Sequence, residues 1–395
     1  MIPLLSVADA QARLFAMAPR IATERLPLNS AAGRWTTEPV IALRAQPGAD
    51  LSSMDGYAIR FDDLPGPWHV IGESAAGRAF GGSIGRGEAA RIFTGAAMPA
   101  GADSVLVQEE ADRDGDALAL AGEGPPRRGA SVRRKGLDFE RGAVLIDAGT
   151  RLTPAAIALA ATGGHGALNV NRRLRVTIMA TGDELISPGT ASDDPLALPE
   201  GNSAMLAAML ADLPVDVTVA GIIPDRLHAL VAAFSDANAD IIVTTGGASV
   251  GDHDLVRPAL EAAGGSVDFW RIAIRPGKPM LAGRLGEAIM LGLPGNPVSA
   301  FVTATLFLRP LIAAMAGAAD PLPRMLRAEL ADPLPANDHR QDYLRATIVD
   351  GRVSAAAMQD SSMLATLARA TCLIVRAPHA PAAAIGDTVD VVPLA

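Results

Sequence analysis

The stretch from Asp240 to Asp254, reading DIIVTTGGASVGDHD, constrains this chain more than any other. It opens with Ile241-Ile242-Val243 and Thr244-Thr245, a bounded β-branched run of the kind that fills a buried strand. The chain then enters Gly246-Gly247-Ala248-Ser249-Val250-Gly251. Such a loop has few Cβ atoms to hold an anion away from backbone N–H groups, and Ser249 adds a hydroxyl. Phosphate cradles are built this way. Asp252 and Asp254 close the loop, and a helix is expected from Leu255 onward. Carboxylates beside a bound phosphate repel it unless a cation lies between them, and a hard Mg²⁺ suits that position. A glycine turn with an acidic helix cap is the structural alternative.

The rest of the chain sets the context. Its 395 residues suggest about two to four domains. The apolar fraction of 49% is ample for real cores, and the formal charge of −9 argues against a nucleic-acid-binding protein. A single cysteine, Cys372, leaves no internal disulfide framework and fits a reducing, cytoplasmic setting. In the apolar run CLIV it reads as a core thiol. The N-terminal MIPLLSVADAQARLF lacks a basic leader, so secretion is not expected. The most membrane-like stretch, Ala300 to Ala319, is interrupted by Arg309-Pro310 and reads as a packed amphipathic helix rather than a membrane span.

Ser6 caps a helix expected over Val7 to Met17. From about Ala45 to Asp147 glycines and prolines punctuate short apolar runs, the pattern of a small β domain. Thr153-Pro154 starts a second helix that ends at Gly163-Gly164, and the two helices are expected to pack together around the β insert. Residues 173 to 318 alternate strand and helix, which implies a mostly parallel sheet covered on both faces. Short strands return after Pro323 as a small barrel or sandwich.

In an open parallel sheet, ligands bind beyond the carboxyl ends of the strands. Three predicted strands end in unusual loops: Thr181-Gly182-Asp183-Glu184, the Thr244 to Asp254 loop, and Leu293-Pro294-Gly295-Asn296-Pro297-Val298-Ser299. In the third, Asn296 suits a helix cap and Pro297 the first helical turn, with Ser299 nearby as an oxyanion contact. Together they suggest a phosphorylated ligand with a divalent cation held by Asp183, Glu184, Asp252 or Asp254. A cationic strip precedes the third loop. Alternation puts Arg271, Ala273 and Arg275 on one face, and Pro276-Gly277 turns Lys278 back beside it. Three cations so close call for a bound oxyanion, a solvated edge strand being the bland alternative.

Taken in order, MDGYAIR (54–60), RIFTGAAMPAGADSVLVQEE (91–110), VRRKGLD (132–138), TGDEL (181–185), GNSAML (201–206), GIIPD (221–225), TTGGASVGDHD (244–254), AIRPGKP (273–279) and LGLPGNPVS (291–299) resemble the MoeA family, the molybdopterin molybdenumtransferases, over nearly the whole chain. The resemblance implies a multidomain α/β plus β fold. Its parts are a split helical domain (1–44 plus 141–172), an inserted β domain (45–140), a central mostly parallel α/β molybdopterin-binding domain (173–320) and a C-terminal β-barrel domain (321–395). It further implies a homodimer with each cleft shared between subunits, and insertion of molybdenum from molybdate into adenylylated molybdopterin with Mg²⁺ and release of AMP. Transient contact with other cofactor-biosynthesis proteins follows from the same likeness.

By the same resemblance, Asp225 and Asp254 stand near the metal and nucleotide, Ser249 is a phosphate-loop serine, and Glu184 is an acidic cleft residue. Thr181, Gly182, Gly246, Gly247, Gly251, Pro294, Gly295, Asn296 and Pro297 shape the phosphate and substrate loops. Asp55, Thr94 and Asp138 reach the cleft from the β domain, and Arg271, Arg275, Lys278, Ser299, Arg345 and Ser361 line the molybdate site. Two departures stand out. Family members often carry lysine where this chain has Arg271 and Arg275, and a planar fork binds an oxyanion differently from a point charge. Leu137 stands where glutamate is frequent. A molybdopterin adenylyltransferase and a non-catalytic dimeric scaffold of the same fold are the competing readings.

Overall fold

The computed structural model describes residues 4–247 and 255–394. A six-stranded sheet forms its centre. In chain order the strands are β1 (Leu174–Thr181), β2 (Val215–Ile223), β3 (Ile241–Thr245), β4 (Ser266–Trp270), β5 (Leu281–Leu285) and β6 (Ala288–Leu293), and in space they run β2-β1-β3-β6-β5-β4. The first four of these are mutually parallel, while β5 and β4 are antiparallel at one edge. Every residue of β3 and β6 is buried, as the unbroken apolar runs require of strands covered on both faces. Ile241, Val243, Ile289 and Leu291 point into the larger core; Ile242 and Met290 point into the smaller one on the opposite face.

The helix Val7–Met17 begins where expected, with the Ser6 hydroxyl accepting the Asp9 N–H at 3.1 Å. Its partner differs from the expectation. Val7, Ala10, Leu14 and Met17 belong to the main α/β core, whereas the helix Pro154–Thr162 packs with Ala31, Val40, Ile146, Leu168 and Val170 in a separate cluster. The N-terminal helix has a continuous apolar stripe, and the largest apolar surface available claims it. The same region carries two antiparallel pairings alongside its helices, Thr23–Pro27 with Ala167–Asn171 and Val40–Ile41 with Val144–Ile146.

Pro297–Met315 is a single helix of 19 residues, and 83% of its apolar window is buried inside the protein. Arg309-Pro310 does not interrupt it. A π turn over Ala304–Leu308 precedes the proline, and the Gln11 amide donates to the Leu306 carbonyl at 2.8 Å. Arg309 pairs with Asp212 at 2.8 Å, so this charge is neutralised within the fold.

Residues 46–139 form a six-stranded β lobe with one added strand pair, Leu51–Ser52 with Val132–Arg133. Among the described residues, every hydrogen bond and ion pair of this lobe stays within it. At the other end of the chain, Leu326–Leu330, Gln341–Val349, Arg352–Ala355, Cys372–Arg376 and Thr388–Pro393 close into a five-stranded barrel. Cys372 is fully buried in the barrel core, and burial pushes its thiol pKa up. The short strand Ile274–Arg275 adds to the barrel in parallel with Gln341–Asp342 and so joins it to the α/β region.

Candidate functional site

Sheet register determines which turns meet. Ala180 of β1 pairs with Thr245 of β3, Thr245 with Leu293 of β6, and Thr181 with Ile223 of β2. Four strands therefore end level. The turns that leave them begin at Gly182, Gly246, Pro294 and Pro224 and lie side by side at one edge. The order β2-β1-β3 puts a reversal of winding direction at β1, where open α/β sheets bind ligands.

These turns touch. Gly246 has φ 93, and a Cβ there would collide with the Thr181 carbonyl oxygen; one on Gly247 would come within 2.7 Å of Val256. A Cβ on Gly295 would lie 3.2 Å from the Gly246 Cα, and the Gly246 N–H donates to Leu293 at 3.2 Å. Only glycine permits this approach. The Thr181 hydroxyl donates to the Asp225 carboxylate, and the Asp225 N–H donates to Asp183 at 3.2 Å. The exposed Glu184 folds back so that its carboxylate lies against Gly182. Ser249, Gly251, Asp252 and Asp254 lie outside the described residues.

Asn202 was not singled out from the sequence as a functional residue. Its side-chain amide donates to the Gly295 carbonyl at 2.7 Å and ties the helix Asn202–Leu210 to the third loop. The signal was present in GNSAML, a polar side chain immediately ahead of an apolar helical run. Thr244 Oγ1, Ser203 Oγ and Asn296 Oδ1 are buried at this end of the sheet without a hydrogen-bond partner among the described residues.

Asn296 occupies the cap position of the third loop's helix, with φ −66 and ψ 125, but its side chain makes no capping bond. The Val298 N–H donates instead to the Ser361 carbonyl at 3.2 Å, so the barrel supplies the cap. Pro297 occupies the first turn as expected, Pro294 is buried, and Ser299 is buried beside them. Gly277 packs on this helix: a Cβ there would lie 2.6 Å from Thr303 and 3.6 Å from the Ser299 carbonyl. The turn bearing Lys278 is thereby seated against the helix that Pro297 begins.

The three predicted oxyanion cations fare differently. Lys278 is exposed, and among the described residues no carboxylate lies within ion-pair distance of it. Arg271 sits over the Trp270 ring at 5.3 Å, with φ 88. Arg275 is engaged with Asp342, Asn337 and Asp338. Alternation does hold from Arg271 to Arg275, since Ile272 and Ile274 are fully buried between them. Arg345 lies beneath the surface, 1% exposed, and donates to Gln359 at 3.2 Å and to the carbonyls of Met363 and Met358 at 3.2 and 3.3 Å. Desolvation lowers its pKa. Buried in this way, it holds the segment that carries Ser361.

In the β lobe, Asp55 accepts the Thr94 N–H at 2.7 Å and the Thr94 hydroxyl at 2.8 Å. These bonds hold its carboxyl below the usual range and keep it ionised. Asp138 is exposed, and its N–H donates to Gln46 at 2.9 Å. No described hydrogen bond joins either residue to the strand-end turns of the same chain.

Among the described residues no group of three or more His, Cys, Asp or Glu is arranged to hold a metal ion. Asp183 and Asp225 nevertheless present hard oxygen donors from two adjacent, hydrogen-bonded turns. Mg²⁺ commonly takes only one or two protein carboxylates together with ligand phosphates, so the donor set fits that ion.

Comparison with known proteins agrees with this layout. Three family models match in order: "MoeA N-terminal region (domain I and II)" over residues 5–164, "Probable molybdopterin binding domain" over 177–314, and "MoeA C-terminal region (domain IV)" over 327–394. A molybdopterin molybdenumtransferase of Haemophilus influenzae is 36% identical over 319 residues, covering 80% of this chain and 78% of that protein. One from a Nostoc species is 34% identical over 371 residues, covering 88% and 84%. A solved structure of the molybdopterin biosynthesis moeA protein from Pyrococcus horikoshii superposes with a TM-score of 0.85 at 25% identity, covering 99% of this chain and 100% of that one.

Proposed function

This chain belongs to the molybdopterin molybdenumtransferase family, and from that premise we propose that it inserts molybdenum from molybdate into adenylylated molybdopterin and releases AMP. One observation carries the reading: four strand-end turns converge in register beside a basic turn packed on the helix that Pro297 begins. Such a pocket serves a reaction that joins two anions.

The glycine turn at Gly246-Gly247, which has no room for side chains, is assigned to the pyrophosphate; Ser249 and Gly251 are assigned to the same phosphate loop by sequence alone. The Thr181 hydroxyl fixes the orientation of Asp225. Asp225 and, by sequence, Asp254 would hold Mg²⁺, with Asp183 and Glu184 as acidic neighbours; when bound, that ion would offset the charge that develops as the phosphoanhydride breaks. Lys278 holds molybdate next to Ser299, and fixing both anions in one pocket replaces a costly encounter. No side chain forms a covalent intermediate. Asp55, Thr94 and Asp138 enter the cleft from a second copy of the chain; the self-contained hydrogen bonding of the β lobe supports that arrangement. The protein acts in the cytoplasm, where cofactor-biosynthesis partners exchange the product.

The test is AMP release. With adenylylated molybdopterin and Mg²⁺, AMP release that depends on molybdate is expected. Consumption of ATP with unmodified molybdopterin would mark an adenylyltransferase instead, and no turnover of either kind would mark a scaffold.

A further inference from the structure

Arg275 stands in the basic strip, yet the donating edge formed by its Nε and one Nη is already taken by protein groups. Its Nε donates to Asp342 Oδ1 at 2.8 Å, one Nη also engages Asp342 and donates to Asn337 at 3.2 Å, and the other lies 3.5 Å from Asp338. This is a fork-on-fork pair with one side closed off, because the Asp342 side chain is only 6% exposed. An incoming oxyanion that took Arg275 would leave a buried carboxylate without its partner, which costs more than the new bond returns. Asp342 already balances the Arg275 charge, and Asp338 is shared with Arg340 at 3.1 Å, so this guanidinium offers an incoming anion no unmatched positive charge.

We infer that Arg275 is a positioning residue, a latch that seats the C-terminal barrel on the basic turn and so aims Lys278 at the start of the helix Pro297–Thr303. The inference deepens the proposed function and rests on it. Three further contacts support it. The backbone of Ile274–Arg275 is a strand of the barrel sheet, paired with Gln341–Asp342. Gly277, two residues on, is wedged against Thr303. The barrel's Ser361 carbonyl caps the same helix through Val298. A shift of the barrel therefore moves both walls of the pocket. The latch also gives arginine a reason to be here, since lysine offers a point charge and cannot make the two parallel bonds. Arg271 is exposed and stacks over the Trp270 ring.

The experiment measures turnover of the full chain against molybdate concentration, with adenylylated molybdopterin and Mg²⁺ saturating. Variants Arg275→Lys and Asp342→Asn should each raise KM for molybdate about fivefold and leave kcat within about twofold, and the double variant should be no worse than either single one. The inference is overturned if Asp342→Asn lowers KM, because a freed Arg275 would then be recruiting the anion. It is overturned equally by an unchanged KM in Arg275→Lys, or by additive effects in the double variant. If Asp342→Asn does not fold, the more exposed Asp338→Asn should raise KM about twofold, and a fall would again overturn the latch. If the unmodified protein releases no molybdate-dependent AMP, the proposed function fails instead, which is a separate result.

Discussion

The two ends of the central sheet handle polar groups in opposite ways. At the amino end, Asp240 is 8% exposed and accepts from Arg172 at 2.7 and 2.9 Å and from Arg175 at 2.8 Å through its N–H and 3.0 Å through its guanidinium. Arg173 pairs with Asp216 at 2.6 Å. Burial alone would raise the Asp240 pKa, but the arginine hydrogen bonds more than offset it and hold the carboxyl well below the ordinary range. At the carboxyl end, glycines replace side chains, and Thr244, Ser203 and Asn296 bury polar atoms that have no partner among the described residues. Both ends are rich in charge and buried polar groups, but among the described residues the carboxyl end leaves more hydrogen-bonding capacity unspent. A saturated cluster stabilises the fold, whereas buried polar atoms without protein partners call for a functional explanation.

The sharpest way to break this comparison is Asp225→Asn. Turnover should fall by about 100-fold or more, because the charge at the turn we assign to metal and phosphate is lost, while the melting temperature stays within about 3 °C. A large fall in melting temperature would make Asp225 structural. Asp240→Asn should do the reverse, costing about 3 kcal/mol in chemical denaturation with kcat and KM unchanged, because arginines are left without their carboxylate.

That loss carries a pH signature. A depressed carboxylate contributes fully above its unfolded pKa of about 3.9 and loses its contribution as pH falls toward the folded value. The stability gap between the parent and Asp240→Asn should therefore be full at pH 6 and shrink below about pH 4. A gap that widened in acid would contradict the direction given for Asp240.

Gly246→Ala should destabilise by about 2 kcal/mol and impair turnover, since its φ of 93 and the Thr181 carbonyl both resist a side chain. Gly264→Ala, at φ 86 with open space around it, should cost only about 1 kcal/mol and leave turnover intact. Equal losses in both measurements would remove the special status of the carboxyl end. The smallest effect is expected of Asn202→Ala, about 1 kcal/mol from the lost bond to Gly295, together with a raised KM for the pterin.

Local pattern made much of this legible. The β-branched run of β3, the proline-led helices and the glycine turns each follow from residues within a few positions of one another. What stayed hidden depends on distant partners. The stripe of Val7–Met17 shows that the helix buries one face, but not which core receives it. Arg309-Pro310 reads as a helix break until Gln11 reaches the Leu306 carbonyl from the other end of the chain. Arg275 reads as a free cation because Asp342, its partner, lies 67 residues further on. The strand-end loops could be placed on one edge from the sequence, whereas their contact through Gly246 and Gly295 required the register.

The most direct test of the site is anomalous X-ray scattering at the molybdenum edge, on crystals grown with adenylylated molybdopterin, Mg²⁺ and molybdate. The account predicts one peak at the carboxyl end of the sheet, between Lys278 and Ser299. A peak among Arg172, Arg173 and Arg175 at the amino end, with none beside Lys278, would contradict it.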